Sequence, residues 1–259
     1  GAGATANFRG AITADDTVML DVPVAAGVVN FDNANRYTLA GPGQLSLDGN
    51  GANTAAINVS AGNHTIAAPI GLQDALIATV TPATSTLTLS GHVTPAAGVG
   101  LDKAGAGTLS LTDPPTWTGP TNVLAGVLAT EAGSIGALSV SDGATALVAA
   151  PNGAAALRTT SLSVAANGRA DVGNDGLVVA AGSLPTVRGL LTTGYAGGAW
   201  NGPGVDSSTA ATSAGRRCAG PLHAGRRRHV GRHGEHRRFQ PAGRQLQPAR
   251  RLEQRRLQL

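Results

Sequence analysis

Thr86-Leu-Thr-Leu89, Thr108-Leu-Ser-Leu111 and Ser161-Leu-Ser-Val164 share one pattern, a hydroxyl residue alternating with an aliphatic one. Successive strand side chains point to opposite faces, so each tetrad turns Leu or Val one way and Thr or Ser the other. Working outward from them, runs of the same character recur: Thr17–Val22, Val28–Phe31, Arg36–Leu39, Gln44–Leu47, Ala55–Val59, His64–Ala67 and Leu76–Val80. They continue at Asn122–Ala129, Ala137–Val140, Ala144–Ala149, Leu157–Val164 and Leu177–Ala180. Gly, Asn, Asp and Pro stand between them, so each run reads as a short strand closed by a turn. Helical spacing occurs at Pro185–Thr193, where Leu184, Val187, Leu190 and Leu191 lie three to four apart around a proline suited to a first turn. A short helix is expected there.

Composition says what kind of core these strands build. The 259 residues include 37 Gly but only 3 Phe, 2 Trp and 2 Tyr. Aromatic side chains bury the largest areas, so a core without them must spread its apolar surface over many small Val, Leu, Ile and Ala contacts. Irregularly spaced strands with an apolar inner and a hydroxyl outer face fit stacked coils better than a sandwich or barrel. The expected fold is all-β: a right-handed parallel β-helix or β-solenoid over residues 1–205, with about ten coils at roughly twenty residues each. Residues 206–217 read as a junction and 218–259 as a disordered basic tail.

Charge divides the chain at the same place. Of 19 Lys+Arg and 15 Asp+Glu, residues 1–214 hold 6 and 13, a net −7, while residues 215–259 hold 13 and 2, a net +11. The +4 of the whole chain averages two unlike segments. The one cysteine, Cys218, lies in the basic segment, so the body has no thiol for a disulfide, a zinc site or a nucleophile. No stretch of about 18 apolar residues is present to span a bilayer. Because the chain opens at Gly1 without a charged and apolar leader, an export signal is expected upstream of it.

Leu101-Asp-Lys-Ala-Gly-Ala-Gly-Thr-Leu-Ser-Leu-Thr112, followed by Trp117-Thr-Gly-Pro-Thr-Asn-Val-Leu-Ala-Gly-Val-Leu128, resembles the autotransporter-associated β-strand repeat. Its pattern is Lys-x-Gly-x-Gly-Thr-Leu-x-Leu, an aromatic-bearing turn, Thr-Gly-x-Thr and a Gly-x-Leu strand. Asp113-Pro-Pro-Thr116 departs from the usual Asn/Ser-rich turn, which alters the corner more than the strands. The resemblance implies a parallel β-helix in an exported bacterial protein, with the repeat structural rather than catalytic. Phe31–Gly41 and Gly194–Gly204 resemble parts of larger exported proteins of this kind, in which the second stretch closes the β-helix and often precedes a dockerin-like calcium module.

A basic tail stands where that module would follow. Residues 215–259 contain no Ser, Thr, Asp, Asn, Lys, Ile, Met, Trp or Tyr. GC-rich codons read out of frame yield such arginine-rich text, and back-translation from Cys218 with a shifted frame permits Asp-Ala-Thr-Leu-Asp-Gly-Thr-Val-Asn-Ile-Ala-Asp. That string resembles a dockerin-type loop with oxygen ligands and a turn glycine at calcium-loop positions. Residues 218–259 are therefore read as an out-of-frame remnant of a dockerin-like module, with the frame changing between Ser208 and Cys218.

Several residues invite a chemical reading. His229, His233 and His236, with His223 and Cys218 nearby, suggest a metal cluster, yet the zincin motif needs histidines four apart with Glu beside the first. The arginines suit phosphate contacts through charge alone. Asp15, Asp16, Asp21, Asp32, Asp48 and Asp74 could line a lyase groove, but turn Asp residues commonly bond local backbone. Trp117 and Trp200 read as covers of coil corners, Lys103 as a solvated turn residue, and Gly197 and Gly198 as turn residues. No catalytic, cofactor or metal residue is assigned, and no cofactor is expected.

The function expected is a non-catalytic extracellular or cell-surface scaffold. Its expected partners are neighbouring modules of the same parent protein or cell-surface components, without specific nucleic acid or a transmembrane segment. Two other classes remain in view: a polysaccharide lyase or hydrolase on the same fold, and nucleic-acid binding through the arginine tail.

Overall fold

In the computed structural model, which describes residues 1–51, 54–149 and 155–217, nearly every strand pairs in parallel with one from the next coil. One sheet stacks eight strands: Thr5–Phe8, Val28–Asp32, Ala55–Ala61, Leu76–Val80, Leu101–Ala104, Thr121–Val123, Leu138–Val140 and Leu162–Val164. A second stacks nine: Asp16–Met19, Tyr37–Ala40, His64–Ile66, Thr86–Leu89, Thr108–Leu111, Val127–Thr130, Thr145–Val148, Arg169–Asp171 and Gly204–Asp206. The chain alternates between the two, which makes a β-solenoid. The third side is discontinuous, with four strands from Val24–Ala26 to Val93–Pro95 and three from Ser134–Ile135 to Gly176–Val179.

The break on the third side has a sequence cause. Between the two short sheets lies Asp113-Pro-Pro-Thr116, and proline has no N–H to give to a ladder. One isolated bridge, Thr116 to Ser134, joins this corner to the second short sheet, with the Ser134 N–H bonded to the Pro115 carbonyl at 2.7 Å. The departure from the repeat pattern thus changes a corner and leaves both flanking strands in place.

Alternation does what the tetrads predict. Thr86–Leu89 and Thr108–Leu111 are strands over the expected residues, with their leucines buried and their hydroxyl residues half-buried outside. Val29, Ile57, Ile66, Leu87, Leu109 and Val123 have no exposed surface. Each such burial contributes about 1.5–3 kcal/mol, so the stack holds together without a bulky centre. Three of the few aromatics, Phe8, Phe31 and Tyr37, gather in the first two coils, where Phe8 stacks on Phe31 at 5.1 Å and Phe31 on His64 at 4.6 Å.

Three expectations needed adjustment. Asn122–Ala129 and Leu157–Val164 each read as one strand, but each crosses a corner and forms two. The ten coils expected become eight strands in the first sheet, because steps between partners run from 17 residues (Thr121 to Leu138) to 28 (Val28 to Ala56). Residues 184–198 also leave the stack altogether, forming helix α1, Leu184–Tyr195, and a short 3-10 turn. The helix over Pro185–Thr193 is therefore present and slightly longer. Ser183 caps it, its Oγ accepting the Thr186 N–H at 3.3 Å, and Ala196 ends it in the left-handed conformation.

The chain re-enters the second sheet at Gly204–Asp206, which pairs with Arg169–Asp171. Gly194 permits that return, since a Cβ there would sit 1.8 Å from the Val205 carbonyl oxygen. Gly194–Gly204 thus closes the stack. Ser208–Arg217 forms a second helix, α2, in the stretch read as a junction. The basic tail from Cys218 onward lies outside the described residues.

Candidate functional site

Lys103 occupies the centre of the repeat-like segment, and it is not the solvated turn residue that the sequence suggested. Strand parity puts it on the inner face with Leu101, in register with Ala78 on one side and Val123 on the other. It is fully buried. Its ammonium donates to the carbonyls of Ala104 (2.8 Å), Gly105 (2.8 Å) and Ala125 (3.1 Å). Those carbonyls belong to two successive corners, so one side chain pins both. Gly105 turns the first corner with φ +78°, a region that L side chains rarely adopt. Burial of the charge pulls the Lys103 pKa down to about 8.

Another landmark of this segment serves the corner that leads into Thr121–Val123. Trp117 is buried, as the corner-covering reading requires, and its indole N–H donates to Thr121 Oγ1 at 2.9 Å. Lys103, Gly105, Trp117 and Thr121 all face protein, so none is presented to a substrate. Trp200 is half-buried and meets Tyr195 edge-on at 5.1 Å, while Gly197 and Gly198 take positive φ in the turn after α1.

The carboxylates do not converge. Asp16 and Asp48 bond nearby backbone, at Thr17 and Asn50. Asp15 and Asp74 instead reach across coils, accepting the Arg36 and Gly49 N–H groups at 2.7 and 2.8 Å. Turn acids therefore cross-link neighbouring coils as well as closing local turns. Asp21 and Asp32 are exposed. Among the described residues, no three of His, Cys, Asp and Glu gather where they could hold a metal. The histidines considered as a metal cluster, His223, His229, His233 and His236, lie outside the described residues, as do Cys218 and the arginines from Arg226 onward.

Two buried polar groups escaped the sequence reading. His64 lies inside the second sheet; its Nδ1 accepts the Tyr37 N–H at 3.1 Å and its Nε2 meets the Ala61 carbonyl at 2.8 Å. The parity of His64-Thr-Ile66 places the imidazole on the face of Ile66, the signal that would have found it. Asp206 is buried at the far end, held by Arg169 through both Nε (2.8 Å) and Nη2. Burial pushes its carboxyl pKa up, against the pull of Arg169. Nothing in the sequence announces this pair, because helix α1 separates the two strands that bring it together.

The outer faces are polar and regular. Asn7, Asn30 and Asn58 form an amide ladder on the first sheet, each bond 2.9 Å long. On the second, Thr17, Thr38, Thr65, Thr88 and Ser110 share one register. A cleft of about 550 Å³ lies along α1 between Leu184 and Thr193 and carries a single charged residue, Arg188. Among the described residues no helix is long and apolar enough to cross a membrane.

No curated protein and no solved structure matches the chain. Residues 101–129, the segment whose lysine, glycines, tryptophan and threonine build the corners just described, match the family model of the passenger-associated-transport-repeat, so the chain carries an autotransporter-associated repeat within a β-solenoid.

Proposed function

We propose that this chain is part of the passenger of an exported bacterial surface protein and serves as a non-catalytic β-helical scaffold. The observation that carries the reading is the coincidence of the matched repeat with purely structural corners: Lys103 spends its three donors on backbone carbonyls and Trp117 its one on Thr121. Stacked coils of this kind hold a long polar surface at low sequence cost, since each coil needs only its neighbours. The partners that suit such a rod are adjoining modules of the same protein or components of the cell surface. The arginine-rich tail is read as a remnant of a dockerin-like module, a reading that nucleotide sequencing from Ser208 to Leu259 tests directly.

The test of the scaffold role is protease accessibility on intact cells. Expressed from its native locus, the solenoid should be digested by added protease without lysis and labelled by antibody from outside. Protection until lysis would overturn the surface assignment, and turnover of a polysaccharide lost in carboxylate variants would overturn the non-catalytic one.

A further inference from the structure

We propose that His64 makes the first coils acid-sensitive, so that they open from the stack in mild acid while the coils beyond Thr86 stay closed. Both ring nitrogens are committed in a way that fits only the neutral ring. Nδ1 accepts the Tyr37 N–H at 3.1 Å, so the proton sits on Nε2, which donates to the Ala61 carbonyl at 2.8 Å. A second proton would have to enter at Nδ1, turning an acceptor into a donor that faces another donor. The hydrogen bond lost is one that ties the second coil to the third.

The surroundings offer the cation little. His64 is 1% exposed and its ring lies flat on Phe31 at 4.6 Å. The charged groups that act on it are Arg36 of the second coil, which opposes protonation, and Asp15 of the first, which favours it. Tyr37 packs beside it, and its in-register neighbour on the fourth-coil side, Leu87, bears no charge. Burial is the largest influence and holds the imidazole pKa below its ordinary 6.5.

A proton taken up more readily by the open form favours opening. The opened ring titrates near 6.5 and the closed ring lower, so stability is complete above 6.5 and declines as the pH falls below it. At pH 5, about 1.5 units below that value, opening is favoured by up to roughly thirtyfold over neutral pH. In a stack a few coils can open without unfolding the rest, because each contacts only its neighbours. Opening here separates Phe8, Phe31 and Tyr37 from His64 and bares the edge of the strand His64–Ile66. This inference concerns the fold alone and does not depend on the surface role.

Hydrogen exchange of the full chain at pH 7.5 and 5.0, corrected for intrinsic rates, tests it. Amides in Val28–Asp32 and Tyr37–Ala40 should lose protection by tenfold or more at pH 5.0, while those in Thr86–Leu89 and Thr108–Leu111 keep theirs. His64→Asn, whose Oδ1 can accept the Tyr37 N–H without titrating, should abolish the acid response. Equal protection of the first coils at both pH values, or an acid response that persists in His64→Asn, would overturn the proposal. Should that variant fold poorly, the imidazole C–H resonance of His64 in the parent decides: titration at or above 6.5 with the first coils still protected refutes it.

Discussion

Replacing Lys103 by Met separates the charge of this side chain from its shape. Met keeps the length of the stem and fills an irregular space without strain. At pH 7 the variant loses three donated hydrogen bonds, worth about 1 kcal/mol each, or about 3 kcal/mol together. It also escapes the cost of burying an ammonium, measured by the fall in pKa from 10.5 to about 8. That fall of about 2.5 units corresponds to up to about 3 kcal/mol. The two nearly cancel, so the variant should lie within about 2 kcal/mol of the parent at pH 7.

The difference emerges on raising the pH. Between about 8 and 10.5 the unfolded chain still holds the lysine proton and the folded chain has released it, so unfolding takes up a proton. The folded state therefore gains stability with pH across that window, by up to about 3 kcal/mol, while the neutral amine can still donate to the corner carbonyls. Urea denaturation followed by circular dichroism at pH 7, 8.5 and 10 reads this out. The parent should rise above Lys103→Met as the pH climbs. Parallel curves, or a loss beyond about 5 kcal/mol at pH 7, would show that the ammonium is not held as the three distances indicate.

Other substitutions probe other parts of the stack. Gly194→Ala would force a Cβ to within 1.8 Å of the Val205 carbonyl, so α1 and the last strand should lose hydrogen-exchange protection together while the central coils keep theirs. Leu109→Ala removes a fully buried side chain and should cost about 2–5 kcal/mol in denaturant titration. Arg169→Met should cost about 3–5 kcal/mol at pH 7, because it leaves Asp206 buried without its cation. The raised Asp206 carboxyl binds a proton more tightly folded than unfolded, so part of that loss should be recovered as the pH is lowered toward the ordinary carboxylate range. Trp117→Phe keeps the ring but not the N–H, and should cost about 1 kcal/mol through the lost bond to Thr121.

How much of this was legible in the sequence depended on where the information lay. The tetrads at Thr86 and Thr108 specified their strands to the residue, because period-two alternation is written in adjacent positions. Asn122–Ala129 concealed a corner because Val123, Leu124, Val127 and Leu128 continue the apolar text through it, with only Gly126 to mark the turn. Residue type misleads at Lys103: a lysine leading into Gly105 and Gly107 suggests a solvated turn, whereas its parity with Leu101 already places it inside. His64 carried the same signal. The Arg169–Asp206 pair was out of reach, since a chain separation of 37 residues leaves no local trace.

The two prolines at 114 and 115 also set where this rod is weakest in tension. Elsewhere its three sides share a pull through unbroken ladders, each bond loaded alongside its neighbours. At the diproline corner the third side has no strand pairing to Val93–Pro95 of the fourth coil, and only the Thr116–Ser134 bridge joins it to the sixth. A stretched molecule should therefore crack first along that side, between the fourth and fifth coils, leaving the turns on either side intact and able to snap shut when the load is removed.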